Sequence, residues 1–253
     1  MQKYFNRAGA TYLQEAKIQQ EAARECAVRV PGKYYPRVLE IGAGGGLLTG
    51  QCLDRIQAGL YLAMDISLPM LKLIPRDRTV LLRADGEHPP FKKAVFDLLV
   101  SASVMQWYSK PPQGLLENLE LLKKGGRFSI SLFVSGTFRQ MQEISSRSGF
   151  GSVYPLPGEE EYLSRLQESG MDFGFQTREY TRYFPSVPEF LKSHRRTGAR
   201  YTLNRPSFGK KTYSRFCREY ERIYGQDGWI PVDYRVLYIW GKKIIPGPGP
   251  GPG

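Results

Sequence analysis

Arg37-Val38-Leu39-Glu40-Ile41-Gly42-Ala43-Gly44-Gly45-Gly46 is the stretch on which the fold turns. A short apolar run ends beside an acid, and a cluster of glycines follows at once. Val38, Leu39 and Ile41 read as a buried strand. The glycines read as a tight strand-to-helix turn that lets a ligand approach the backbone closely.

Strands and helices alternate outward from this turn. Strand-like runs follow at 60–65, 79–84, 94–102 and 126–133, with helical segments at 47–55, 69–73 and 112–122. Upstream, 11–29 carries helical spacing, with Tyr12, Ala16, Gln19, Ala23 and Ala27 near one face, and Pro31-Gly32 ends it. Downstream come a helix at 157–169, a strand at 173–183, helical pieces at 187–196 and 212–224, and a strand at 232–240. Strands of continuous apolar character between helices predict an α/β fold, a mostly parallel sheet covered on both faces. Residues 1–245 read as one domain, with a helical cap over 1–30 and a helical insertion over 184–228 before the last strand. Residues 246–253 alternate Pro and Gly and are expected to be disordered.

A chain of 253 residues is long enough to bury a full core. Cys26, Cys52 and Cys217 are far apart and show no metal-ligand or disulfide spacing, so no metal site is expected. No segment resembles a secretory signal or a membrane span, and a cytoplasmic protein is expected. The net charge of +12 implies an acidic partner, and its cations are dense between Arg178 and Arg222. In 212–224 the residues Tyr213, Phe216, Cys217, Tyr220, Ile223 and Tyr224 fall on one helical face. That face looks like core rather than a stacking platform for bases, which argues against nucleic acid as the partner.

The glycine turn is not built for phosphates. A dinucleotide fingerprint would place a third glycine where Leu47 stands, and a phosphate-cradling loop would need a lysine that is missing. Acids stand instead at successive strand ends: Glu40, Asp65 and Asp85. Asp65 is placed to accept from both hydroxyls of a ribose, and Asp85 from an exocyclic amine. Three carboxylates repel a phosphate chain and suit a nucleoside carrying positive charge. That is the electrostatic profile of S-adenosylmethionine.

Glu40-Ile-Gly42-Ala-Gly44-Gly-Gly46, then Asp65, Asp85 and Phe96-Asp97-Leu98-Leu99-Val100, resembles the class I S-adenosylmethionine-dependent methyltransferases. The resemblance implies a Rossmann-like, seven-stranded, mostly parallel sheet. It implies that Glu40, Gly42, Gly44, Asp65 and Asp85 bind the cofactor. The flanks resemble one family within that class, the malonyl-[acyl carrier protein] O-methyltransferases of biotin synthesis. The stretches that carry this are Phe5-Asn6-Arg7-Ala8-Gly9-Ala10-Thr11-Tyr12, Val104-Met105-Gln106-Trp107, Phe128 to Phe133, Phe184-Pro185-Ser186-Val187 and Pro231-Val232-Asp233-Tyr234. Asp233 departs from the family's usual Thr, and the Pro-Gly tail is foreign to it.

The reaction this implies is methylation of the free carboxylate of a malonyl thioester on acyl carrier protein. A carboxylate with a pKa of about 4 is already ionised at neutral pH and needs no general base. Tyr12, Gln106 and Trp107 are the candidates at the methyl-transfer site. Arg195 and Arg196 are candidates for meeting the substrate or its carrier. With Arg200 and Lys211 they form the basic surface expected to dock an acidic carrier. Two alternatives stand beside this reading: a methyltransferase acting on another small molecule, and an RNA-binding or RNA-modifying protein.

Overall fold

A computed structural model describes residues 16–196 and 209–244. Its centre is a seven-stranded sheet in the order β3-β2-β1-β4-β5-β7-β6. The strands are β1 (Tyr34–Ile41), β2 (Gln57–Asp65), β3 (Val80–Arg83), β4 (Phe96–Ala102), β5 (Leu122–Phe133), β6 (Met171–Phe184) and β7 (Ile230–Lys243). All pairings among β1 to β5 are parallel, and β7 runs antiparallel to both β5 and β6. After β1 the chain builds outward through β2 and β3, then returns to lay β4 on the other side of β1. That reversal leaves a crevice at the carboxyl ends of β1 and β4, where sheets of this kind bind ligands.

Successive strand residues point to opposite faces, and both faces are buried. Leu39, Leu99, Phe128 and Ile130 face α4 (Pro111–Leu119) and α6 (Glu159–Glu168) through Leu115, Leu119, Tyr162 and Leu166. Val38, Leu98, Val100 and Ala63 face α1 (Lys17–Val28) and α2 (Leu47–Leu53) through Ala23, Cys26, Ala27, Leu48 and Cys52. The apolar strands read as continuous because each side of the sheet has its own helical layer.

A third cluster lies under the expected insertion. β6 is antiparallel to β7 and therefore runs with β1, so it ends at the same edge as the crevice. There α7 (Val187–Arg196) and α8 (Lys210–Tyr224) follow, anchored by the buried Phe190, Phe216 and Tyr220 against Phe184, Ile230 and Tyr234. The aromatic face expected in 212–224 is thus core at Phe216 and Tyr220.

The remaining elements agree in kind with the sequence reading and differ at their ends. Strand β1 begins at Tyr34, because Tyr34 and Tyr35 pair with Gln57 and Ala58. Strand β5 begins at Leu122, paired with Phe96 across a register shift that absorbs the Lys-Lys-Gly-Gly segment. The short α3 (Leu68–Leu71) replaces the segment expected at 69–73. Helix α5 (Arg139–Ser148) has no counterpart in the sequence reading. Its buried residues are Gln140, Ile144, Ser145 and Ser148, so its helical spacing is carried by mostly polar side chains. The N-terminal part of the expected first helix, the centre of the insertion and the Pro-Gly tail lie outside the described residues. No helix among the described residues is long and apolar enough to cross a membrane.

Candidate functional site

The glycine turn is left-handed at Gly42 (φ 72°), Gly44 (φ 51°) and Gly46 (φ 89°). Gly42 and Ala43 donate their N–H groups to Met64 O at 2.8 and 3.0 Å, which ties the turn to the end of β2. A Cβ on Gly42 would stand 2.1 Å from Val104 Cγ2, in the segment after β4. The two walls of the crevice therefore meet at a residue that has no side chain.

Asp65 fixes the next position. Its Oδ2 accepts from Gly44 N at 2.8 Å and its Oδ1 from Ser67 N at 2.7 Å. Burial pushes its pKa up, and these backbone donors oppose the rise. Each oxygen keeps a second lone pair for a ligand hydroxyl. Asp85 is half exposed; its Oδ1 accepts from Glu87 N at 3.0 Å, and its Oδ2 is 3.4 Å from His88 Nδ1. Glu87 in turn accepts from Ser109 N at 2.8 Å and from the Ser109 hydroxyl. Tyr108 OH donates to Asn118 Oδ1 at 2.8 Å, and Asn118 Nδ2 donates to Gly86 O at 3.0 Å. This chain of bonds holds the loop after β3 against the wall after β4.

These groups form a cleft that is open at its mouth and encloses about 180 Å³. Gly42, Gly44, Asp65 and Asp85 line it, as expected. Trp107 lines it too, with its ring 5.2 Å from that of Tyr154. Sequence reasoning missed Glu87, Tyr108, Ser103, Val104, Ile66 and Met70. Glu87 and Tyr108 are neighbours of residues it singled out. Ile66 and Met70 carry no signal beyond ordinary apolar character.

Glu40 sits beneath the turn rather than in this cleft. Its Oε2 accepts from Thr49 Oγ1 and Tyr61 OH, each at 2.7 Å, and it borders a smaller hollow with Gln19 of α1. Full burial pushes its pKa up to about 7, against the opposing pull of the two hydroxyls. In the unfolded chain the group ionises near 4.5. Between these values the folded state holds a proton that the unfolded state has released, so stability falls as pH rises from about 4.5 to about 7. Glu40→Gln removes the titration. Urea melts at several pH values are expected to show the variant gaining roughly 3 kcal/mol on the wild type across that interval, with no further change above it. A gap independent of pH would contradict the buried, protonated Glu40.

Gln106 is fully buried in the single 3₁₀ turn Met105–Trp107, behind the cleft wall. Arg195 and Arg196 are exposed on the last turn of α7, and Lys211 is exposed on the first turn of α8. Tyr12 and Arg200 lie outside the described residues.

The lining fits S-adenosylmethionine on its own chemistry. It holds three carboxylates (Asp65, Asp85 and Glu87) and no lysine or arginine among the described residues. A cationic nucleoside is favoured there and a polyphosphate is not. No cluster of three metal-ligating side chains occurs among the described residues.

Residues 39–130 match the Methyltransferase domain family. The chain is 30% identical over 261 residues to the malonyl-[acyl-carrier protein] O-methyltransferase of Geobacter sulfurreducens, covering 94% of this chain and 96% of that one. It is 31% identical over 251 residues to the enzyme of the same name from Magnetococcus marinus, covering 93% and 89%. Among solved structures, the YcgJ protein of Bacillus subtilis superposes with a TM-score of 0.62 at 14% identity, covering 89% of this chain and 99% of that one.

Proposed function

The chain belongs to the malonyl-[acyl-carrier protein] O-methyltransferase family, and from that premise we propose that it methylates the free carboxylate of a malonyl thioester carried by acyl carrier protein. It is a class I S-adenosylmethionine-dependent O-methyltransferase of biotin synthesis. The observation that carries the donor half of this reading is the cleft's composition: three acids and, among the described residues, no lysine or arginine, beside a glycine cradle. The acceptor half is supported by similarity along nearly the whole chain, insertion included.

When the cofactor is bound, Gly42 and Gly44 would hold its methionine part, Asp65 would accept from the ribose, and Asp85 would approach the adenine. Glu40 acts from below by holding α2 and β2 to the turn through Thr49 and Tyr61. When bound, S-adenosylmethionine supplies a methyl group made electrophilic by its sulfonium. The malonyl carboxylate is ionised at neutral pH, so no residue has to remove a proton. The protein's task is to hold the acceptor in line and exclude water. Trp107 stands on the wall after β4 for that purpose, with Gln106 buried behind it. Tyr12, Arg195 and Arg196 are further candidates for meeting the acceptor.

The exposed cations of α7 and α8, which follow β6 at the same end of the sheet as the cleft, serve as the landing surface for an acidic carrier. Reversing charge at Arg196, Arg200 and Lys211 together is expected to raise the KM for the carrier-linked substrate about ten-fold at low salt, with a smaller effect at high salt. Equal kinetics at low salt would remove the docking role. The central test offers labelled S-adenosylmethionine to malonyl-carrier protein, malonyl-coenzyme A and bulk tRNA. Methyl ester on the carrier thioester is expected; label only in RNA or only in free small molecules would overturn the proposal.

A further inference from the structure

The cleft has two ends of different chemistry. Asp65 and Asp85 lie on the β2–β3 side of β1, and the wall 102–108 lies on the β4 side, towards β5, β7 and the insertion. The segment reads Ala102-Ser103-Val104-Met105-Gln106-Trp107-Tyr108; Met105 and Gln106 are buried behind the other five, which line the cleft. It carries no carboxylate, imidazole or cation. Its one titratable group is the Tyr108 phenol, which burial keeps protonated and which already donates to Asn118.

Three side-chain atoms of this short segment have no hydrogen-bond partner among the described residues and no contact with solvent: Ser103 Oγ, Gln106 Oε1 and Gln106 Nε2. Ser103 is left-handed at φ 61°, uncommon for serine, and is held there by its N–H bond to Ser131 O at 2.8 Å. Gln106 is 0% exposed, between Val104 and Trp107, both of which line the cleft. A buried primary amide with nothing to bond is costly, and native proteins rarely keep one without use. Backbone strain and orphaned polar groups together in one short segment beside a cleft single it out for a functional role, whereas the orphaned hydroxyls of Ser131, Ser145 and Tyr162 do not line the cleft.

We propose that Ser103 and Gln106 hold the acceptor carboxylate, donating from the serine hydroxyl and the glutamine amide. The assignment rests on the carboxylate-acceptor reading above. Neutral donors suit this reaction for an energetic reason. The carboxylate oxygen forms a C–O bond to the methyl carbon as the C–S bond breaks with its electron pair leaving on sulfur, and no proton moves. The acceptor thus loses a full negative charge. An arginine clamp would stabilise the charged ground state more than the charge-dispersed transition state, whereas neutral donors lose less as the charge disappears. In this assignment the amide of Gln106, sealed behind Val104 and Trp107, meets the acceptor only once the Met105–Trp107 turn shifts on binding.

The test is steady-state kinetics of the full chain carrying Ser103→Ala or Gln106→Leu, with malonyl-carrier protein and S-adenosylmethionine. Each variant is expected to raise the KM for the malonyl substrate about ten-fold. Affinity for S-adenosylhomocysteine should stay within about two-fold of the wild type. Gln106→Leu should also melt no lower than the wild type, because it deletes buried atoms that have no partner. A merely structural glutamine gives the opposite pattern, a lower Tm with unchanged KM, and that result overturns the proposal. An unchanged KM in both variants overturns it, as does a rise matched by an equal loss of donor affinity. A wild-type chain that binds S-adenosylhomocysteine yet never esterifies the malonyl thioester marks a failure of the acceptor reading itself, and this assignment falls with it.

Discussion

Gly42→Ala is expected to lose roughly 2–4 kcal/mol of folding stability, together with most of the affinity for S-adenosylmethionine. Two costs combine at this residue. Its φ of 72° is strained for any residue with a Cβ, at about 1–2 kcal/mol. The added methyl would then lie 2.1 Å from Val104 Cγ2 and 2.6 Å from Cγ1, so Val104 has to move. Val104 lines the cleft, and its displacement narrows the space for the ligand. Gly44→Ala is the control. Its φ is 51°, yet its nearest obstacle is Met70 Cε at 3.7 Å, so only the conformational cost of about 1 kcal/mol applies. Urea unfolding of the two variants separates these terms. Equal losses would mean that the contact between Gly42 and Val104 does not limit the turn.

Asp65→Ala is expected to weaken S-adenosylmethionine binding at least 100-fold by titration calorimetry. The side chain does two jobs at once. It accepts from Gly44 N and Ser67 N, fixing the glycine turn and the start of α3 relative to each other. Its remaining lone pairs are the proposed acceptors for the ribose. Truncation leaves two backbone donors without their carboxylate and removes the ligand's partner, so stability falls as well, by about 1–3 kcal/mol. Asp85→Ala is the comparison. Asp85 is half exposed and bonds only its own loop and His88, so about a ten-fold loss of affinity is expected, with little change in stability. If the two variants lost affinity equally, the double role assigned to Asp65 would be wrong.

Much of the fold was legible because its signals are local. The apolar runs around Val38, Leu98 and Ile130 reveal strands covered on both sides, and helical spacing in 212–224 marks a face that packs as core at Phe216 and Tyr220. Helix α5 escaped because its buried face is Gln140, Ser145 and Ser148 with one isoleucine, so hydrophobic periodicity carries little trace of it. The early start of β5 escaped because Lys123 and Lys124 look like a loop until the pairing of Leu122 with Phe96 draws them into the sheet.

The site divides in the same way. Glycines after a strand, and acids at the ends of the next two, follow from chain-local chemistry, and Gly42, Gly44, Asp65 and Asp85 do line one cleft. The depth at which Glu40 sits was not legible. Its neighbours Thr49 and Tyr61 come from separate elements, and only packing decides that its carboxyl is sealed and its pKa pushed up to about 7. Sequence alone determined the class of sheet, the turn and the sign of the ligand's charge, because backbone freedom, side-chain period and charge belong to residues taken one at a time. Tertiary structure alone decided that β4 returns beside β1, that Val104 closes against Gly42, and that the side chains of Ser103 and Gln106 are left without hydrogen-bond partners among the described residues. Those are relations between segments far apart in the chain, set by sheet order, and no local pattern encodes them.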